Sequence, residues 1–186
     1  DGREDTNSIL LMQYLYQYLS QDGATVHVPR QLDQTDCCNS AENYPWWKLA
    51  AYSWLYHQGL PCTVWASNTA SCSSDMGPNR TNDDIRARPL YADYVNSDIY
   101  ISHHTNAYNG AASGTITFRD TAMEHPAHEA NSLLLAQKIQ TNVVNVIKNV
   151  YGISDWYDRG VADSNGGFGE IRIPNRPACL IELAFH

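Results

Sequence analysis

The stretch that decides the fold is Ala178-Cys179-Leu180-Ile181-Glu182-Leu183-Ala184-Phe185, an almost uninterrupted apolar run. A short run of this kind is typical of a strand covered on both faces, as in parallel or mixed sheets flanked by helices. Residues 98–104 and 114–119 also predict strands, and residues 126–150 predict a long helix with one apolar face. The sequence therefore predicts an α/β fold, a three-layer α/β/α arrangement with a mostly parallel or mixed twisted sheet.

The same alternation of helix and strand occurs near the start of the chain. Residues 6–19 carry apolar side chains at the spacing of an amphipathic helix, and Gly23 is placed to end it. Residues 24–28, Ala-Thr-Val-His-Val, predict a short strand that stops at Pro29.

Residues 30 to 84 differ in composition from the rest, being rich in Cys, Ser and Asn. They contain one predicted helix at 45–58 and the tryptophans Trp46, Trp47 and Trp54. Such aromatic residues either pack in a lobe against the main sheet, which helical spacing favours, or form a wall of a substrate cleft. We therefore predict a single domain over residues 1–186 with an aromatic, Cys-containing insertion at roughly 30–84.

Composition excludes several classes of protein. The 186 residues carry 12 Lys+Arg against 20 Asp+Glu, a formal net charge of −8. An acidic chain without a basic stripe is a poor ligand for phosphate backbones, so we expect no nucleic acid partner. No apolar run approaches the roughly 20 residues that cross a bilayer, so we expect no membrane span. We expect a monomer.

The spacing of the five cysteines indicates the cellular compartment in which the protein acts. Cys37, Cys38, Cys62 and Cys72 lie close together, whereas Cys179 stands alone. This distribution favours two local disulfides and one buried thiol over a zinc cluster, because the adjacent pair lacks C-x₂-C spacing. Disulfides persist in oxidising compartments, which predicts a periplasmic or secreted protein.

Three residues are candidates for chemistry. Glu182 lies inside an apolar strand, where it is either half of a buried ion pair or a base whose pKa burial raises. His103 and His104 end another strand, and alternation sends their side chains to opposite faces. At most one of them belongs to a site, and a core histidine is the competing interpretation for each.

Ser102-His103-His104-Thr105-Asn106-Ala107 resembles the S-x-H-x-N-A segment of the zinc-dependent N-acetylmuramoyl-L-alanine amidases. These bacterial hydrolases cut between muramic acid and the stem peptide of peptidoglycan. Gly2-Arg3-Glu4 with its helix, Asp158-Arg159-Gly160-Val161 and the segment 177–185 are similar to other parts of the family, in the same order.

The resemblance implies that Glu4 and His104 are zinc (Zn²⁺) ligands and that Glu182 is the general base and acid. It implies hydrolysis of the amide bond between N-acetylmuramic acid and L-alanine, with peptidoglycan as the partner. A carboxylate and an imidazole are suitable zinc ligands, and a nearby glutamate can deprotonate water.

One departure from the family concerns the metal. The family's first ligand is a histidine that ends its first strand, and that strand would lie upstream of residue 1. If the third donor lies within the chain, His27 is the first candidate.

Two alternatives follow. One is a catalytically inactive peptidoglycan-binding module on the same scaffold. The other is a zinc carboxypeptidase-like enzyme, which would need Arg88 or Arg172 to bind a peptide carboxylate.

Overall fold

The structure is a computed structural model that describes residues 2–35, 40, 43–66, 80–106 and 112–185. The side chains of residues 2–6 and 80 lie outside this description. Contacts divide the chain into two compact units, Asp1–Ser97 and Asp98–His186. The prediction of one domain with an insertion stays a prediction.

The first unit is helical in its described part. Its helices are α1 (Gly2–Gln21), α2 (Ala51–His57), α3 (Cys62–Trp65) and α4 (Arg80–Tyr94), with a 3₁₀ turn at Trp46–Lys48. Helices α2, α3 and α4 share one hydrophobic core, whose buried members are Ala51, Tyr52, Leu55, Val64, Trp65, Ala66 and Ala87. No helix in the described part of the chain is both long and apolar enough to cross a membrane.

The predicted amphipathic helix is confirmed as α1, and Gly23 ends it as expected. Gly23 has a φ of +91°, and the N–H of Ala24 donates to the carbonyl of Leu19 at 2.9 Å. This is the left-handed helix end that glycine favours.

Two predictions for the first unit were wrong. Residues 24–28 form no strand, because no described neighbour pairs with their backbone, and β-branched composition alone supplies no hydrogen bonds. The helix predicted at 45–58 is divided, since the extended backbone of Leu49 (ψ 139°) separates the Trp46–Lys48 turn from α2. Trp46 packs edge to face on Trp54 at 5.9 Å between ring centroids.

The second unit is a four-stranded mixed sheet with helices on both faces. Its strands are β1 (Tyr100–Asn106), β2 (Thr115–Arg119), β3 (Asp158–Asp163) and β4 (Ala178–Phe185). They lie in the order β1-β4-β2-β3, with β4 parallel to β1 and antiparallel to β2, and with β2 parallel to β3. The helices are α5 (Glu129–Asn145), which follows a 3₁₀ turn at Pro126–His128 and continues as a π-helical turn at Val146–Val150, and α6 (Gly169–Arg172).

The two helices cover opposite faces of this sheet. Thr117 pairs with Ile181, and its hydroxyl donates to the Gln140 side chain of α5 at 2.8 Å. Leu180, the neighbour of Ile181, instead lies in one buried cluster with Ile171 of α6. Because consecutive strand residues face opposite ways, α5 covers the Ile181 face and α6 the Leu180 face. The predicted three-layer α/β fold is confirmed.

Burial along β4 changes at its midpoint. Residues 178–181 are buried and residues 182–185 are half-buried, so the expected complete burial of this strand is correct only for its first half. Cys179 is fully buried and is a free thiol, as predicted. Burial raises the pKa of this thiol to about 12.

The other predicted cysteine chemistry is incompletely described. Cys62 is disulfide-bonded, and Cys37, Cys38 and Cys72 lie outside the described residues. The arrangement of two local disulfides therefore stays a prediction.

Candidate functional site

The sheet places His104 and Glu182 side by side. They are register partners in the parallel strands β1 and β4, whereas His103 is the partner of Ile181. Paired residues of neighbouring strands point to the same face, so His104 and Glu182 share the α6 face and His103 lies on the α5 face. The separation of the two histidines therefore follows the predicted alternation.

A third group on this face was not predicted from the sequence. Glu170 of α6 accepts a hydrogen bond on Oε2 from the hydroxyl of Ser102, and the same Oε2 atom lies 3.2 Å from Nε2 of His104. The Ser102 oxygen also lies 3.1 Å from the same His104 nitrogen. The side chain of Glu170 is 8% exposed, against 25% for His104, so the carboxylate forms the buried side of the cluster.

Helix α6 is held in position by the loop that precedes it. Asp120 is fully buried, and its carboxylate accepts hydrogen bonds from the N–H of Gly166 at 3.0 Å and from the Ser164 hydroxyl. Gly166 has a φ of +80°, a conformation that suits glycine. The Phe168 ring then packs edge to face on Phe118 at 5.0 Å. These contacts position Glu170 over β1.

Glu182 lies in the middle of the sheet. It is flanked by His104 of β1 on one side and by Ile116 of β2 on the other. The residue is half-buried, and its Oε2 atom is buried. Ladder hydrogen bonds on both sides make the central strand a rigid support for this carboxylate.

The donor types around His104 suit zinc. Imidazole nitrogen and carboxylate oxygen are both common zinc ligands. Within the described ranges, no group of three His, Cys, Asp or Glu residues is arranged to hold a metal ion. Glu4 lies in α1, and its side chain is outside the description. The described residues thus supply zinc-type donors on the α6 face but not a complete ligand set.

His27, the candidate third donor, lies in the first unit. It is exposed and packs edge to face on Tyr91 at 6.4 Å between ring centroids. Both residues line a cavity of about 670 Å³ beside α1. Of the described candidates, neither His104 nor Glu182 lines this cavity.

The second unit thus has two carboxylates and an imidazole on one helix-covered face of a mixed sheet. The chain belongs to the N-acetylmuramoyl-L-alanine amidase family, because the profile of that family (Amidase_3) matches residues 3–186. The resemblance inferred from the sequence is therefore confirmed.

Known proteins agree with this assignment. The chain is 33% identical over 136 residues to an uncharacterized cell wall amidase of Bacillus anthracis, a match that covers 70% of this chain and 23% of that protein. The chain thus spans less than a quarter of the length of this curated relative.

One solved amidase structure shows the same fold, and a second one is similar to part of the chain. The CwlD amidase of Clostridioides difficile, solved in complex with the GerS lipoprotein, superposes with a TM-score of 0.57 at 15% identity, covering 95% of this chain and 68% of that chain. An N-acetylmuramoyl-L-alanine amidase from Clostridium difficile 630 gives a TM-score of 0.44 at 29% identity, covering 54% of this chain and 48% of that chain.

Sequence reasoning missed Glu170 because its role depends on distant contacts. It lies 68 residues along the chain from Ser102 and 66 from His104. Locally it is an acidic residue in the first turn of a short helix, where a carboxylate is ordinarily explained by the helix dipole.

Proposed function

We propose that this chain hydrolyses the amide bond between N-acetylmuramic acid and L-alanine in peptidoglycan, with zinc as its cofactor. The observation that carries the proposal is the register pairing of His104 with Glu182 on one face of the sheet, in a chain of the amidase family. In this proposal Glu4 and His104 bind the metal, and Glu182 is the general base and acid.

Zinc would be held by the imidazole of His104 and the carboxylate of Glu4, with a further donor beyond these two residues. When bound, zinc supplies Lewis acidity, which polarises a carbonyl and lowers the pKa of water.

Glu182 would move the proton. Its carboxylate accepts a proton from the attacking water and later donates it to the departing amine of L-alanine, which leaves as a neutral group. The neighbouring strands on both sides restrict the backbone of Glu182, so the carboxylate needs little reorganisation between the two transfers.

The protein would act outside the cytoplasm, in the periplasm or as a secreted monomer. Its substrate is a cell-envelope polymer, and Cys62 is disulfide-bonded, which an oxidising compartment favours.

The carboxypeptidase-like alternative receives no support from the two arginines that it requires. Arg88 is ion-paired with Asp84, and Arg172 is ion-paired with Glu124 at 3.2 Å. Each guanidinium therefore already binds a carboxylate of the protein.

The test is the variant Glu182→Gln, assayed on purified peptidoglycan by the release of new L-alanine amino termini. The rate should fall about 10² to 10⁴-fold, since a positioned general base is lost, while zinc content and the circular dichroism spectrum stay those of the wild type. The control is Glu129→Gln, which neutralises a carboxylate that is 42% exposed and should keep full activity.

Near-normal turnover in Glu182→Gln would contradict the role given to Glu182. Peptidoglycan binding by the wild type without any amide cleavage would contradict the hydrolytic function and favour the binding module.

A further inference from the structure

We propose that Arg159 binds a carboxylate of the stem peptide, on the second residue beyond the bond that is cut. This role rests on the proposed function and adds to it a determinant of substrate choice. It concerns the segment Asp158-Arg159-Gly160-Val161, which takes no part in the proposed mechanism.

Arg159 lies on the same face of the sheet as Glu182. The preceding residue, Asp158, is the register partner of Thr115, and its carboxylate accepts from the Gln140 amide of α5 at 2.6 Å. Asp158 therefore faces α5. Because consecutive strand residues face opposite ways, Arg159 projects from the α6 face, which also carries Glu182.

A register shift brings Phe185 to that face as well. Glu182 is the partner of His104. Phe185, three residues further along β4, is the partner of Asn106, which is only two residues beyond His104. The strand β4 thus contains one extra residue here, as in a β-bulge. Since Asn106 faces the same way as His104, the Phe185 ring lies on the α6 face beyond Glu182.

Two aromatic rings and a carbonyl group hold the Arg159 side chain in place. Its Cζ atom lies 4.7 Å from the centroid of the Phe185 ring and 5.1 Å from that of Tyr157. Its Nε donates to the carbonyl of Ser113 at 2.9 Å. Stacking on aromatic faces suits the planar guanidinium. These contacts fix the group and leave its two Nη atoms without an acceptor among the described residues.

Arg159 is an exposed cation in an acidic chain of net charge −8. By contrast, Arg119 and Arg172 each form an ion pair with a carboxylate of the protein. Arg159 forms no such pair within the described ranges. A guanidinium binds a carboxylate through two parallel hydrogen bonds, so its Nη donors are suited to one anionic group of a ligand.

Distance indicates which carboxylate binds. Phe185 follows Glu182 by three residues, about 10 Å along β4, and the guanidinium lies over its ring. An extended peptide spans about 3.5 Å per residue, so the carboxylate lies two to three residues from a bond cut beside Glu182. A carboxypeptidase substrate carries its carboxylate only one residue away. The second residue of the stem peptide is a glutamate that keeps a free carboxylate, and it fits this distance.

The first experiment measures binding without turnover. Two muramyl tripeptides that differ only at the second residue, D-glutamate with a free α-carboxylate or its carboxamide, are titrated into Glu182→Gln by calorimetry. The carboxylate peptide should bind about 10 to 100-fold more tightly, as expected for hydrogen bonds to a charged group. Adding Arg159→Gln should abolish this difference. Equal affinity for the two peptides when Arg159 is present would overturn the proposal.

The second experiment measures amide cleavage. Arg159→Gln should raise KM for the carboxylate peptide about 10 to 100-fold and change kcat little, because a distant carboxylate is bound equally in the ground and transition states. Arg159→Lys keeps the charge without the planar fork and should give an intermediate KM. Arg119→Gln is the matched control, since Arg119 binds Glu129 of α5, and its KM should be that of the wild type. Loss of kcat at unchanged KM in Arg159→Gln would overturn the proposal.

The two proposals fail in different ways. If the wild type left the amide bond intact, the proposed function would fail, while the calorimetric comparison would still decide the role of Arg159. If Arg159→Gln did not fold, the peptide pair would still serve, because it changes the ligand and not the protein, and Arg159→Lys would replace the variant. If neither peptide bound, the proposal would be overturned as well.

Discussion

His103 and His104 are neighbours in sequence, but their roles are set by the face of the sheet on which each one lies. His104 faces Glu182 and Glu170, whereas His103 is the register partner of Ile181 on the face that α5 covers. One residue type therefore has different surroundings at two adjacent positions.

We predict that His104→Ala loses zinc and activity, because it removes a proposed ligand, and that His103→Ala retains zinc with only modest destabilisation. Metal content of the purified variants, measured by inductively coupled plasma mass spectrometry, checks this prediction. Equal loss of zinc in the two variants would show that the strand register does not decide which histidine binds the metal.

At the scale of residues, the sequence pointed to two side chains that the structure places side by side, and their roles stay predictions. Glu182 was singled out because a carboxylate within an apolar run is conspicuous, and His104 because the segment around it resembles a family motif. Glu170 has neither signal, since its partners belong to a strand distant in sequence. Only the packing of α6 on β1 reveals that contact.

At the scale of elements, α6 shows how a very short helix can place a buried carboxylate against a strand. Four residues are too few for a helix to be stable alone. Its position depends on the preceding loop, where Asp120 accepts from Ser164 and from Gly166, and on the packing of Phe168 against Phe118.

We predict that Asp120→Ala lowers the free energy of unfolding by about 3 kcal/mol, because buried donors left without an acceptor cost about 1–3 kcal/mol each. Urea titration measures this loss of stability.

Asp163→Ala is the control for this prediction. Asp163 is an exposed carboxylate that bonds Thr121 at the same loop, and its removal should cost less stability because water can replace it. If the two variants were equally destabilised, the burial of Asp120 would not explain its importance.

The sequence predicts secondary structure correctly where the local pattern of apolar residues agrees with the tertiary contacts. The strand predicted at 178–185 has the same bounds as β4, because continuous apolar sequence matches its central place in the sheet. The strand predicted at 24–28 did not form, since a ladder requires a neighbour that composition cannot specify. The division of the helix at 45–58 likewise depends on backbone conformation at Leu49, which the apolar periodicity does not encode.

At the scale of the whole molecule, the cysteines offer a test of both compartment and fold. We predict that the native, oxidised protein reacts with thiolate-directed reagents at no cysteine and that the denatured, unreduced protein reacts at one. The single reactive group is Cys179, whose pKa of about 12 in the fold leaves about one molecule in 10⁴ as thiolate at pH 8. The measurement is the number of thiol groups per chain that react with the reagent in the native and in the denatured protein.

Five reactive thiols per denatured chain would remove the argument for an oxidising compartment. Rapid reaction of one thiol in the native protein would instead show that the first half of β4 is accessible.

The sheet order also has a consequence for protein synthesis. The strand β4 is the last in the described chain, yet it lies between β1 and β2 and is hydrogen-bonded to both. When β1 leaves the ribosome, residues 107 to 177 must still be made before its partner emerges. During that interval β1 exposes unpaired backbone, a state in which chains associate wrongly. The strands β2 and β3 can pair before β4 is made, but β1 can join the sheet only afterwards, so we expect the sheet to close in one late step.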